Sequence, residues 1–340
     1  MFGNHRLLRG AGVCLGAAGF LLALMIAAPA QSTREKSADS YLARGSEWQT
    51  KGNFDRAIDD FGIAITFNPR FAKAYYLRGR AHLSRGDVEA ALIDLNRAIE
   101  LDPRSAYTYN DRGYAFTVIG GIDTAIADFN RAIELDPRFA RAYYNRAFVR
   151  ISQGDYKGAV ADYDRAIKCD KKYAAAYNNR GYARFMTDDP AGAIVDFDRA
   201  IKIDPRYGSA YGNRGNLRFE RGDFDGAIAD HTRAIELSPG VVEHYCNRAN
   251  ARYARGDYAA ALADYDRALA INPRYAEVYA NRGILRLRMG RKAEADADFA
   301  QSLELNPKMK AAIEKRVRIL EEEKSHPQSH TKDREEENNP

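Results

Sequence analysis

A tyrosine returns every 34 residues through most of this chain: Tyr41, Tyr75, Tyr109, Tyr143, Tyr177, Tyr211, Tyr245 and Tyr279. Prolines keep the same interval at 69, 103, 137, 205, 239, 273 and 307, with Lys171 in the one vacant place. No insertion or deletion disturbs the register between residues 38 and 309. A fixed period of this length means that one supersecondary unit is used repeatedly, and that each copy buries its apolar face against its neighbours. The sequence therefore reads as eight copies, 38–71, 72–105, 106–139, 140–173, 174–207, 208–241, 242–275 and 276–309, and not as the two or three separate domains that 340 residues would allow.

With positions numbered 1 to 34 in each copy, Tyr stands at 4, Gly or Ala at 8, and Ala at 20 in all eight; Phe or Tyr usually stands at 24, Ala at 27 and Pro at 32. A "GD" or "GN" near position 15 divides the copy into two helical stretches, and the proline ends the second. Gly inside a helix costs about 1 kcal/mol against Ala, so Gly45, Gly79, Gly113, Gly181, Gly215 and Gly283 imply close contact between helices. The whole pattern resembles the tetratricopeptide repeat, TPR. That resemblance implies an all-α fold: a right-handed α-solenoid of stacked antiparallel helix pairs, the TPR superhelix. It also implies that the first helix of each pair lines a concave surface, where positions 2, 5, 6, 9, 12 and 13 meet a ligand.

Two positions are unusual. Position 7 is arginine in every copy, where leucine is commoner in the family, and position 23 is aspartate in every copy. The two lie sixteen residues apart. Each is eight residues from the turn, so in an antiparallel hairpin both stand at one height, about 12 Å from it. The spacing predicts structural ion pairs, among them Arg180 with Asp196, Arg214 with Asp230 and Arg248 with Asp264. A second arginine at position 11 (Arg150, Arg184, Arg218, Arg252, Arg286) is expected to pair with neighbouring acids.

Position 6 is asparagine in the last five copies: Asn145, Asn179, Asn213, Asn247 and Asn281. This row resembles the asparagine ladder in the TPR region of O-linked N-acetylglucosamine transferases. An amide carries donor and acceptor together, so a row of them can pair with the backbone of an extended peptide whatever its side chains. Tyr144, Asn178, Tyr182, Phe185, Asn216, Phe219, Asn250 and Tyr253 at positions 5, 9 and 12 complete an amide and aromatic channel. Such a mixture suits peptides. Family members that clamp a terminal carboxylate carry Lys at position 5, and no copy does here. The expected function is a non-enzymatic scaffold or adaptor for extended segments of other proteins; the alternatives are a binder of cell-wall glycan and a membrane-anchored regulator of an envelope complex.

The net charge of +5 is small, and its lysines and arginines are interspersed with acids, which argues against a nucleic-acid partner. His82, His231 and His244 fall at different heights, and no metal-ligand spacing or phosphate loop occurs, so no catalytic residue, metal or cofactor is expected. Residues 1–30 differ in kind. Arg6 and Arg9 precede an apolar run from Ala11 to Ala28 that closes on "APA", the pattern of a secretory signal peptide. Left uncleaved, residues 11–30 approach the length of a membrane anchor, the only membrane contact the sequence suggests. The expected location is exported, periplasmic if the source is bacterial. Residues 31–37 read as a linker, 310–324 as a capping helix, and 325–340 as a disordered tail with almost no apolar residues. Cys169 and Cys246, three copies apart, are expected as thiols, Cys169 on a core position.

Overall fold

The structure, a computed structural model, describes residues 36–325. The expected signal segment and the tail beyond 325 lie outside the described residues. Those residues contain seventeen α-helices, one 3-10 turn and no strand. They fall into two units, divided after Gly154.

The first unit holds α1 (36–50), α2 (Phe54–Phe67), α3 (Ala72–Arg85), α4 (Val88–Leu101), α5 (Ala106–Val118), α6 (Ile122–Leu135) and α7 (Ala140–Ser152). The second holds α8 (Tyr156–Cys169), α9 (Ala174–Phe185), α10 (Pro190–Ile203), α11 (Gly208–Glu220), α12 (Phe224–Leu237), α13 (Val242–Arg255), α14 (Tyr258–Ile271), α15 (Ala276–Arg288), α16 (Lys292–Leu305) and α17 (Lys310–Ser325). Within each unit consecutive helices pack side by side, in the manner of an α-solenoid. First helices of successive pairs also touch, α3 on α5 and α5 on α7 in one unit, α9 on α11, α11 on α13 and α13 on α15 in the other. They form the tighter, inner row.

Local chemistry sets these boundaries. Most second helices open on a carboxylate or amide at position 16: Asn53, Asp87, Asp155, Asp189, Asp223 and Asp257 each accept a hydrogen bond from the backbone N–H three residues on. All but α12, which closes on Ser238, end on Asp or Asn at position 31, whose side chain accepts from the backbone N–H two residues later, as Asp102 does from Arg104 and Asp204 from Arg206. These turns fix the exit of the chain, and the proline between prevents the helix from continuing. Helix already covers residues 36 and 37, so the expected linker is shorter, and α17 runs to Ser325, one residue past the expected cap.

The core is a stack of small residues facing rings. Ala57, Ala91, Ala125, Ala159, Ala193, Ala227, Ala261 and Ala295 at position 20 are all fully buried. The glycine at position 8 admits the ring at position 24: a Cβ on Gly181 would stand 2.8 Å from Cε1 of Phe197. Cys246 is buried, and burial pushes its thiol up to about 12. Cys169 is only half-buried, because position 30 closes a second helix and does not enter the core as expected. No described helix is long and apolar enough to cross a membrane.

The turn between helices places position 15 in the left-handed region, and glycine holds it at 52, 86, 120, 154, 222, 256 and 290. Asp188 takes that conformation in the fifth copy, with φ of 63°. Its Cβ makes it costlier there than glycine. Asp188→Gly should therefore raise stability by about 0.5–1 kcal/mol in urea unfolding; an unchanged or lowered midpoint would contradict this.

Candidate functional site

Arginine at position 7 is the hub of each pair. Arg180 donates from Nε and Nη2 to the two oxygens of Asp196, at 2.8 and 2.5 Å, and from Nη1 to Asp164 of the preceding second helix at 2.6 Å. Its guanidinium also stands 5.3 Å from the centre of the Tyr177 ring. Tyr and Arg therefore share one face without conflict: the ring receives the cation while the carboxylate fixes its plane. The same bidentate bond joins Arg214 to Asp230 and Arg248 to Asp264, and, in the first unit, Arg112 to Asp128.

These carboxylates are the acceptors of larger clusters in the second unit. Asp196, only 1% exposed, also accepts from Arg184 at 3.0 Å, Asp230 from Arg218 at 2.9 Å, and Asp264 from Arg252 at 2.7 Å. Burial pulls the Arg180 guanidinium down, but Asp196 and Asp164 outweigh it and hold Arg180 above its ordinary value. Position 11 in the third copy is Phe116, so the Arg112–Asp128 pair has no second arginine.

The asparagines at position 6 are knitted between repeats. Asn213 donates to Asn178 at 2.9 Å and Asn247 to Asn216 at 2.8 Å; in the first unit Asn145 donates to Asn110 at 2.9 Å. Asn178 donates in turn to Asn179 at 2.9 Å and is 4% exposed, which withdraws it from the surface where it was expected. Asn281 accepts from Arg316 of α17, so the capping helix covers it. Tyr253 packs on Tyr258 at 5.7 Å and sits among half-buried core residues. Asn145 and Tyr144 belong to the first unit.

Seven of the expected residues converge. Tyr182 and Phe185 of α9, Asn213, Asn216 and Phe219 of α11, and Asn247 and Asn250 of α13 line a cleft of about 330 Å³ on the inner row of the second unit. Amides and aromatic rings line it together. Exposed Glu220 and buried Phe197, Leu217 and His231 complete its lining. His231 stands at position 24, which is usually Phe or Tyr. The ring is 0% exposed, and neither nitrogen has a hydrogen-bond partner. Burial lowers it to about 3, with repulsion from His244 and Arg248 adding to the shift. Among the described residues no cluster of ligating side chains could hold a metal ion.

Stacked helix pairs, with a cleft of amides and rings on the inner row, define a helical-repeat protein. Family models described as TPR repeat match residues 119–154, 149–188 and 249–290, and models described as tetratricopeptide repeat match 42–106 and 276–309. The chain belongs to the tetratricopeptide repeat proteins, whose general role is non-enzymatic binding of other proteins. Among solved structures it is similar to a chain of the APC/C hetero-tetramer Cut9–Hcn1, with 18% identity and a TM-score of 0.61 over 83% of this chain and 56% of that one. It thus spans just over half the length of that relative. It is also similar to pilF of Pseudomonas aeruginosa, with 17% identity and a TM-score of 0.57 over 62% of this chain and 96% of that one. A tetratricopeptide repeat protein from Parabacteroides merdae gives 20% identity and a TM-score of 0.55, over 79% of this chain and 99% of that one. At these identities the likeness shows the fold alone. No curated protein sequence matches the chain.

Removing one partner of a buried pair leaves a stranded charge and costs about 3–5 kcal/mol, whereas an apolar replacement of both can be neutral. Asp128→Ala should therefore lower stability far more than Arg112→Leu with Asp128→Leu, and Asp196→Ala, which takes a shared acceptor from two arginines, more than Asp128→Ala. Equal losses in the three variants would refute the ion-pair account. The histidine gives a pH test. Between about pH 6.5 and about 3 the unfolded chain binds a proton that folded His231 refuses, so stability falls with pH by up to about 1.4 kcal/mol per unit. His231→Phe should flatten the acid limb of a stability–pH curve below 6.5 and leave its slope unchanged above 8; parallel curves would contradict the assignment.

Proposed function

We propose that this chain is a non-enzymatic adaptor in the cell envelope that holds extended segments of other proteins along the inner row of its second unit. The observation that carries the reading is the cleft of α9, α11 and α13, where rings of α9 and α11 and amides of α11 and α13 line one opening. Asn213 and Asn247 each use one amide hydrogen between repeats, and each amide retains a second hydrogen and an oxygen. Those groups can meet the carbonyls and N–H groups of a strand laid across the helices, and the side chains of that strand reach Tyr182, Phe185 and Phe219 between them. The internal bonds hold the amides in place before a ligand arrives, which reduces the ordering cost of binding. Export rests on the charged, apolar and small-residue order of residues 1–30.

A crosslinking pull-down from the envelope fraction, comparing the natural chain with a folded Asn213→Ala, Asn247→Ala variant, tests this. Specific proteins should be lost, or reduced at least tenfold, in the variant. Recovery of the same proteins by both, or co-sedimentation of the natural chain with cell-wall glycan in their place, would overturn the peptide reading.

A further inference from the structure

The sixth and seventh repeats solve one problem in two ways. In the seventh, Tyr265 at position 24 sends its hydroxyl up to Oδ1 of Asn250 at position 9, donating at 2.6 Å. The phenol fills the space beneath the inner row. In the sixth, Asn216 holds position 9 in the same way, but position 24 is His231. An imidazole ends well short of where a phenol ends. It lies against Gly215, where a Cβ would stand 3.0 Å from Nε2, and makes no hydrogen bond to Asn216 or any other residue. Both His231 and Asn216 line the cleft.

A buried neutral imidazole holds one donor and one acceptor, and leaving both unmatched is costly. Phe61, Phe129, Phe197 and Phe299 occupy position 24 elsewhere, so the fold does not require a polar ring there. We propose that the cleft is an anchor pocket for a tyrosine side chain of the bound segment, whose hydroxyl pairs with His231 and with the Asn216 amide and so completes in trans the arrangement that Tyr265 and Asn250 make in cis. The ring of the guest lies between Phe185 and Phe219, edge or face to aromatic walls. Glu220 at the rim disfavours an acidic guest, so a phosphorylated tyrosine is excluded. The inference rests on the peptide reading of the inner row and deepens it by naming the residue that anchors the segment.

The test uses the whole chain with ¹⁵N-labelled histidine, and N-acetyl-tyrosinamide and N-acetyl-phenylalaninamide as probes. The tyrosine probe should shift the His231 ring nitrogens saturably and bind at least tenfold more tightly than the phenylalanine probe, because only it satisfies the imidazole. His231→Phe restores a residue that other repeats carry, so it should fold; in it the preference should drop to about equal binding. His231→Tyr should fill the cleft in the manner of Tyr265 and abolish binding of both probes. Equal affinity for the two probes in the natural chain, or tyrosine binding undiminished in His231→Tyr, would overturn the proposal. So would His231 shifts produced by an N-acetylglucosamine oligomer and not by the tyrosine probe. Partners lost with the Asn213 and Asn247 variant but retained by His231→Tyr would remove the anchor and leave the peptide reading standing.

Discussion

The bond between arginine at position 7 and aspartate at position 23 sets the geometry on which the rest depends. It joins the two helices of a pair at one height, and a third guanidinium nitrogen often reaches back to the previous second helix: Arg214 to Asp198, Arg282 to Asp266, Arg112 to Asn96. One side chain thus fixes the register within a repeat and the stacking between repeats. Leucine in that place would give burial without direction. The guanidinium supplies direction, because its planar fork accepts only a narrow range of carboxylate positions. Where position 25 is Gly62, the reach backward finds no side chain, and Arg78 keeps only its bonds to Asp94. These buried charges specify alignment more than they add stability over an apolar core.

Alignment is what a surface of this type needs. A row of amides can hold a strand only if successive helices present them at a constant interval, and that interval is the one the arginines enforce. The bonds from Asn213 to Asn178 and from Asn247 to Asn216 carry the same register onto the inner row. Under the proposed function, structure and recognition share side chains here, because Asn213 and Asn247 each spend one amide hydrogen on the register. The cleft appears where the regular filling of the core is interrupted by His231, so the site is a local departure from a repeat that is otherwise packed throughout.

Much of the fold was legible because the repeat states it eight times. Helix ends followed from the proline at 32 and the "GD" or "GN" turn near 15, and the Arg and Asp pairing followed from hairpin geometry. The candidate site was legible in part. Tyr182, Phe185, Asn213, Asn216, Phe219, Asn247 and Asn250 share a cleft, and position within the repeat was sufficient to group them. Asn178 and Asn281 could not be sorted that way: one is buried by its neighbour's amide and the other covered by Arg316 from α17, and neither contact has a signature at the repeat's period. The clusters that Arg184, Arg218 and Arg252 complete were half visible, since position 11 was expected to find acids but not to share the aspartate already held by position 7. His231 was a signal passed over. A polar ring where other repeats carry Phe, Tyr or Leu, beside glycine and lining an inner-row cleft with its nitrogens unmatched, marks the place where the filling of the core changes.

The most direct measurement of the central claim, that the inner row of the second unit holds polypeptide, is site-specific photo-crosslinking in intact cells. A benzophenone side chain would be placed at Glu220 on the cleft rim, and at Val195, which is 63% exposed on the second helix α10. Mass spectrometry of the products should find defined stretches of other proteins attached at Glu220 and not at Val195. Equal yields at the two positions, or products at Glu220 that contain no polypeptide, would contradict the account.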